Sequence, residues 1–500
     1  MDLLNHLILG FSSLFGIIPI LAITAGVVFG IWVGAMPGLS PSMGVALMLP
    51  FTFRMPANIS LIMLTAVYLA SNYGGSITAV TINTPGTPSA IATAFDGYPL
   101  AQQGKAGWGL GISLVASVVG GLVGIIILIL FSKPLAVVAV KMHPAEYFSL
   151  ALLGLTSVAS LGGKNGIKAF GMAMFGLLLS TVGLDPISGV KRFTFGQIEL
   201  FDGFNLIPAL IGLFALSEVF ERLETKLPET SGSYKDVKNE GEWPKWRDYW
   251  KLKRVTLQSS LVGTLIGIFP GAGSSIASFL SYDLAKRTSK TPETFGKGNP
   301  EGVAASEAAN SASVGGAMVP LLTLGIPGSA STAVLISALM SHDLVPGPML
   351  FSQQPALVYG LFASMLVANL IIFVIGLLGS RLWVKVALIP QQLLIPLIIS
   401  IAVVGSFAVN NSLFDVFACL GFGVVGWLLK RYGFPMAPIV LGMVLGSLAE
   451  SSFRRAVIMG GYSVFFTRPA SLILILVSIL FFALPFIQAH RDKKRLLPKN

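Results

Sequence analysis

Long apolar runs recur along the whole chain, at residues 109–131, 145–161, 166–184, 204–220, 357–378, 395–409, 412–429 and 470–487. A helix of about 20 apolar residues crosses a hydrocarbon core of about 30 Å, so each run predicts a membrane-crossing helix. With the interrupted apolar stretches added, the pattern predicts about 12 spanning or re-entrant segments at roughly 20 residues each. The expected fold class is an all-α polytopic membrane protein. Two apolar stretches carry polar residues and helix breakers in their middle. Residues 55–95 hold no charge, yet include Asn72, Ser76, Thr78, Thr81, Asn83, Thr84, Pro85, Gly86, Thr87, Pro88 and Ser89. Residues 308–341 do the same with Asn310, Ser311, Ser313, Thr323, Gly325, Pro327, Gly328, Ser329, Ser331 and Thr332.

These two stretches belong to a repeat. PGLSPS (37–42) is echoed by PGAGSS (270–275). Gly74-Gly75 is echoed by Gly315-Gly316, and PGTPS (85–89) by PGSAS (327–331). An Asp-containing break follows each, from Asp96 and from His342. Four features in the same order point to internal duplication. The charged stretch 221–254 separates the copies, with an aromatic cluster at Trp243, Trp246, Tyr249 and Trp250 beside Lys and Arg, as a membrane–water interface favours. A surface-lying helix over 243–254 and a solvated linker are both compatible with that composition. The expected division is a first transmembrane repeat at 1–220, the linker at 221–254, a second repeat at 255–487 and a basic tail at 488–500. Loop charges relate the repeats: Lys286, Arg287, Lys290 and Lys297 place 283–301 in the cytoplasm, and 342–355 has no Lys or Arg. Lys105 then places 96–107 inside and leaves Arg54 outside, which predicts two inverted repeats.

Pro removes a backbone donor and Gly permits the turn that follows. Unpaired backbone groups cannot face lipid, so broken helices must be buried or line a wet cavity. A helix that starts after such a break points free N–H groups and a partial positive charge at the cavity. A carboxylate fits there without a buried Lys or Arg. The candidate substrate-binding residues are therefore Pro37, Gly38, Ser40 and Ser42 at the first break, and Asn83, Thr84, Pro85, Gly86, Thr87 and Ser89 at the second. In the other repeat they are Gly271, Gly273, Ser274 and Ser275, then Gly325, Pro327, Gly328, Ser329, Ser331 and Thr332. Glycines elsewhere, such as Gly120, Gly121, Gly124, Gly171, Gly176 and Gly421 to Gly426, are read as helix-packing positions.

Ionisable residues add one candidate. Glu307 and Asn310 share a helix face at spacing i, i+3, and a carboxylate in a membrane segment is by default a functional candidate. Glu307 is read either as a helix-capping interfacial residue or, with Asn83 and Asn310, as part of a coupling-ion site. Asp96 and Asp343 are read as closing the tips or as turn formers, and Asp185 before Pro186 as structural.

Composition narrows the class. Only 11% of the 500 residues are charged, against roughly a quarter in soluble domains, and mean hydropathy is +0.80. Most of the surface must therefore face lipid. The net charge of +11 reflects basic loops and the tail His490 to Lys499, read as a cytoplasmic anchor, and not nucleic-acid binding. The start MDLLNHLILGFSSLF has no basic n-region and reads as a retained membrane segment. The single cysteine, Cys419, cannot form an intrachain disulfide. There is no phosphate-binding GxxxxGK[ST], no metal-ligand spacing among His6, His143, His342 and His490, and no hydrolytic triad pattern. An enzyme is not expected, and no cofactor is expected beyond a sodium ion.

The stretches AMPGLSPSMGVALMLPFTF, YLASNYGGSITAVTINTPGTPSAIATAFDGYPLAQQGKA, IFPGAGSSIASFLSYDLAKR and EGVAASEAANSASVGGAMVPLLTLGIPGSASTAVLISALM resemble the large membrane subunit of tripartite tricarboxylate transporters. The resemblance covers most of residues 20–450. It implies a small membrane subunit and a periplasmic solute-binding protein as partners. It also implies uptake of citrate or other small carboxylates across the bacterial inner membrane, driven by a sodium or proton gradient, with an elevator-like movement of a substrate-carrying domain. A passive organic-anion channel and a membrane-embedded enzyme are the alternative readings, and assembly into a homo-oligomer stays open.

Overall fold

The computed structural model describes residues 2–161, 166–185, 187–224, 243–271, 273–386 and 391–496. The described chain is almost wholly helical. The first half contains α1 (Asp2–Ser12), α2 (Ile17–Ala35), α3 (Pro41–Thr52), α4 (Ala57–Ile82), α5 (Ile91–Gln102), α6 (Ala106–Val140), α7 (Pro144–Leu161) and α8 (Gly166–Ser180). A two-residue hairpin follows, β1 (Gly183–Leu184) antiparallel to β2 (Lys191–Arg192). Then α9 (Leu206–Leu210) and α10 (Ser217–Glu224) are joined by a π-helical stretch, Ile211–Leu216. The second half contains α11 (Trp246–Ile268), α12 (Gly273–Thr288), α13 (Pro300–Leu324), α14 (Ala330–Met340), α15 (Leu350–Gln353) and α16 (Pro355–Val386). It ends with α17 (Gln391–Asn410), α18 (Leu413–Arg431), α19 (Ala437–Gly460), α20 (Val464–Thr467) and α21 (Pro469–Leu496).

Among the described residues, five stretches are long and apolar enough to cross a membrane: Ile17–Ala35, Ala106–Val140, Pro355–Gly379, Gln392–Asn410 and Leu413–Arg431. The two helices with the most polar residues behave differently. Every residue of α4 from Ile59 to Thr81, and every residue of α13 from Gly302 to Thr323, is buried. A helix buried on all sides must lie at the centre of the bundle. Thr65, Ser71 and Thr81 fold their hydroxyls back onto the helix backbone, so these three need no water.

Glycine contacts fix helix directions. Gly26, Gly30 and Gly34 of α2 lie against Met63, Val67 and Ser71 of α4, so these two helices run parallel. Gly263 and Gly267 of α11 lie against Ala309 and Ser313 of α13, again parallel. Helix α6 runs with α13, Gly120 on Ala308 and Gly124 on Ala312. It runs against α4, with Gly109 on Val80 and a 2.7 Å bond from Ser113 to Ser76. Helices α4 and α13 therefore run in opposite directions. The partners exchange between halves as well: α6 packs on α13 and α16 on α4, α11 packs on α6 and α2 on α16.

Several expectations change. Gly74 packs on Ile31 and Gly34, and Gly316 packs on Thr264 and Gly267. The structural partner of Gly74 is thus Gly316 and not Gly315, because the segment from the Gly pair to the Pro-Gly break is one residue longer in the second half. A surface helix over 243–254 is not separate: Trp246 starts α11, which continues to Ile268, because the apolar second part of that helix docks on α13. Helix α10 reaches Glu224, beyond the expected start of the linker. Residues 225–242 of the linker and 497–500 of the tail lie outside the described residues. Asp96 is not at a break. It is buried within α5, where Oδ1 accepts from the N–H groups of Gly296, Gly298 and Asn299 (2.7–2.9 Å) and Oδ2 from Tyr282 at 2.8 Å. Asp343 does form a turn, in the left-handed region at φ 57.

Candidate functional site

The four Pro-Gly breaks meet in two pairs. In the first half, Gly86 N–H donates to Gly75 O at 3.2 Å. Gly86 also sits so close to Gly34 that a Cβ would lie 1.8 Å from its carbonyl oxygen. The chain between Ala35 and Ser40 turns beside it, with Gly38 at φ 82. In the second half, Gly271 N–H donates to Gly328 O at 3.1 Å, and Gly328 lies against Gly267 and Ala317. Each half thus brings the end of one helix (α2 or α11) to the break in another, and only glycine allows that approach.

Hydroxyls occupy the helix starts at these breaks. Ser40 caps α3, its Oγ accepting from Met43 N–H at 3.2 Å and lying 2.9 Å from Ser42 Oγ. Thr87 precedes the short turn Pro88–Ala90 that leads into α5, and its Oγ1 is 3.0 Å from Ser89 Oγ. Ser329 caps α14: its Oγ accepts from Thr332 N–H at 3.2 Å, and its own N–H donates to Thr332 Oγ1 at 2.8 Å. Asn83 and Gly325 occupy equivalent places, each ending its helix (α4, α13) in the left-handed conformation at φ 52 and φ 71. Ser274 and Ser275 lie in the first turn of α12 after Gly271 and Gly273, both at positive φ. Thr87, Ser89, Ser329, Ser331 and Thr332 are buried, and Thr84 and Pro85 half-buried.

The pairs approach across the halves. Tyr68 of α4 places its hydroxyl 3.0 Å from Ser329 Oγ. The turn 88–90 packs on α12, and α14 packs on α3. Between them α4 and α13 cross, joined by Asn310 Nδ2 donating to Asn72 O at 3.0 Å. One turn away Glu307 is fully buried. Its carboxylate accepts from Thr93 Oγ1 at 2.5 Å and from Ser117 Oγ at 2.9 Å. It lies well inside α13, whose cap is Asn299, so the capping role expected for it does not hold. Asn310 is with Glu307 as expected, while Asn83 is exposed at the far end of α4 and belongs to the tip. No group of three or more His, Cys, Asp and Glu side chains that would hold a metal occurs among the described residues.

Sequence reasoning missed Thr93, Ser117 and Tyr68, which lie outside the polar clusters around the breaks. It also missed Arg222. This is the one buried Arg or Lys among the described residues. Its Nη2 donates to Pro37 O and its Nε to Glu218 at 3.2 Å. Lys430 pairs with Glu218 at 2.7 Å. The first break therefore does have a buried basic group beside it, against expectation. The equivalent carbonyl of Pro270 accepts from a neutral group, Ser157 Oγ at 2.7 Å. A cavity of about 300 Å³ lies elsewhere, lined by Ser13, Asn58, Leu61, Gln354 and Leu357 among others, and touches none of the breaks.

Asp185 is structural, as expected. The N–H groups of Ser188 and Ile187 and the Arg454 guanidinium at 2.7 Å hold its carboxyl well below the usual carboxylate range.

Comparison with known proteins places this geometry. The family model described as "Tripartite tricarboxylate transporter TctA family" matches residues 20–441. The chain is 40% identical over 498 residues, 99% of each sequence, to an "Uncharacterized 52.8 kDa protein in TAR-I ttuC' 3'region" of Agrobacterium vitis. It is 42% identical over 236 residues to an "Uncharacterized protein in TAR-II ttuC' 3'region" of the same organism, covering 46% of this chain and 98% of that one. No solved structure matches.

Proposed function

The chain belongs to the tripartite tricarboxylate transporter TctA family, and from that premise we propose that it takes up small organic carboxylates, of the citrate or dicarboxylate type, across the bacterial inner membrane. A sodium or proton gradient drives the movement. A periplasmic solute-binding protein delivers the substrate, and a small membrane subunit completes the assembly. The two halves act as inverted repeats, and the basic C-terminal tail lies in the cytoplasm.

The observation that supports this reading best is the pairing of the four breaks around an uncharged, buried polar centre. Helices α3, α5, α12 and α14 all start at these breaks. Their first-turn N–H groups, apart from those of Met43 and Thr332 that Ser40 and Ser329 cap, and their hydroxyls suit carboxylate oxygens, because donors already in place cost no reorganisation when the anion loses its water. In this reading Ser40, Thr87, Ser329 and Thr332 donate to carboxylates, and Arg222 fixes the position of the first break. Glu307 and Asn310 hold the coupling ion.

The test is uptake of labelled carboxylates into proteoliposomes carrying this chain and its small subunit, with the binding protein outside. Accumulation above equilibrium that requires both a cation gradient and the binding protein is expected. Equilibration without either would make the protein an anion channel and overturn the proposal.

A further inference from the structure

The side chains of Asn72 and Asn310 are both fully buried, and the Oδ1 atom of each lacks a hydrogen-bond partner. Neither amide can be turned round to repair this. Asn72 Nδ2 donates to Tyr68 O at 2.9 Å and Asn310 Nδ2 donates to Asn72 O at 3.0 Å. A flip would set an amide oxygen against a carbonyl oxygen in each case. Two acceptors thus stay orphaned at the crossing of α4 and α13, where orphaned acceptors carry the full cost of lost hydration.

Glu307 is one helical turn from Asn310. Its carboxylate has hydroxyl donors in Thr93 and Ser117 and the Asn310 amide N–H beside it, but no Lys, Arg or His pairs with it among the described residues. A buried carboxylate with no counter-charge and two unfilled neutral oxygens is a donor set for a cation. A proton on Glu307 would remove the charge and leave both amide oxygens unsatisfied. A bridging water would fill the oxygens and leave the charge. A single small monovalent cation does both. A divalent ion would keep an excess positive charge, since such ions are held by several carboxylates and only one is here.

We propose that Glu307 and the side-chain oxygens of Asn72 and Asn310 form a site for a small monovalent cation, sodium, at the crossing of the two halves. The proposal rests on the uptake reading for its role, but binding itself does not depend on it. Because α4 and α13 come from different halves, the ion joins them and favours the arrangement in which they cross here.

The test is binding to the full-length chain in lipid nanodiscs, without carboxylate. Thermal unfolding is followed while sodium chloride replaces choline chloride at constant ionic strength and pH, with potassium and lithium chlorides in parallel. A saturable rise in Tm with sodium, not matched by potassium, is expected, since a ligand that binds only the folded state stabilises it. Glu307→Gln keeps the shape and removes the charge, and Asn310→Ala removes one oxygen. Each should weaken the apparent sodium affinity about tenfold or more. Ser260→Ala, on α11 with its hydroxyl bonded to Thr256 O, should leave it unchanged. An equal Tm in sodium and choline would overturn the site, and so would full sodium response in both Glu307→Gln and Asn310→Ala. Sodium binding without carboxylate uptake would sink the uptake reading and leave the site standing. Uptake without a sodium response would do the reverse.

Discussion

At the residue scale, the decisive positions are the glycines where backbones touch. A methyl group on Gly86 would lie 1.8 Å from Gly34 O, a backbone atom with no freedom to retreat. Gly86→Ala should therefore cost about 1–3 kcal/mol, the usual penalty of overpacking, and lower the Tm of the purified protein. Gly171, expected to pack against a helix, instead sits on an exposed face with nothing within 4 Å of an added Cβ. Gly171→Ala should be neutral or slightly stabilising in the same measurement. The hydroxyls call for a different test. Thr87→Trp and Ser329→Trp should abolish carboxylate uptake while membrane insertion, read by fractionation and immunoblot, stays intact. Normal uptake in both would end the assignment of the breaks as the substrate site.

At the element scale, ion pairs tie the hairpin after α8 to the second half of α19. Arg192 bridges Asp185 at 3.5 Å and Glu450 at 2.6 Å, and Arg454 bridges the same two acids. The Asp185 carboxyl titrates below its ordinary value of about 3.9, chiefly through the N–H groups of Ser188 and Ile187. A depressed carboxylate stabilises the fold above its unfolded value, and that contribution is lost as pH falls through the folded one. Asp185→Asn should thus lower Tm at neutral pH, and the gap to the parent protein should close below about pH 4. The polar helices α4 and α13 follow a second rule at this scale. Most of their hydroxyls, such as those of Thr65, Ser71, Thr81, Ser306 and Thr323, bond back to their own turns, so these helices tolerate burial that an open chain of the same composition would not.

At the scale of the whole molecule, the opposite directions of α4 and α13 have a visible consequence. The loop before α4 and the loop before α13 should open on opposite sides of the membrane. Cys419, the one cysteine, is fully buried, so the natural chain is a quiet background for labelling. In right-side-out and inverted vesicles, Arg54→Cys and Lys290→Cys should react with a membrane-impermeant thiol reagent in opposite preparations. Labelling of both in the same preparation would mean that the two halves have the same orientation.

Much of this was legible from residues alone. The apolar run 357–378 falls inside α16 and the run 412–429 covers the cap and most of α18, because lipid demands an uninterrupted apolar face wherever a helix meets it. The breaks at Pro37-Gly38, Pro85-Gly86, Pro270-Gly271 and Pro327-Gly328 were legible for the opposite reason: proline and glycine alter the backbone itself, whatever surrounds them. The recurring motifs were visible, but their register at Gly74 was not, since a one-residue difference in spacing is settled only by which helix packs beneath. Tertiary structure alone decided the partners. Asp96 reads as closing a tip or as a turn former until the 296–299 backbone is seen to close on it, and Glu307 reads equally as a cap or as an ion-site residue until Thr93 and Ser117 arrive from the other half. A sequence determines what each segment can do locally. Which buried polar atoms find partners, and which two amide oxygens are left without them, depends on contacts between residues more than 200 positions apart, and only the folded chain brings those together.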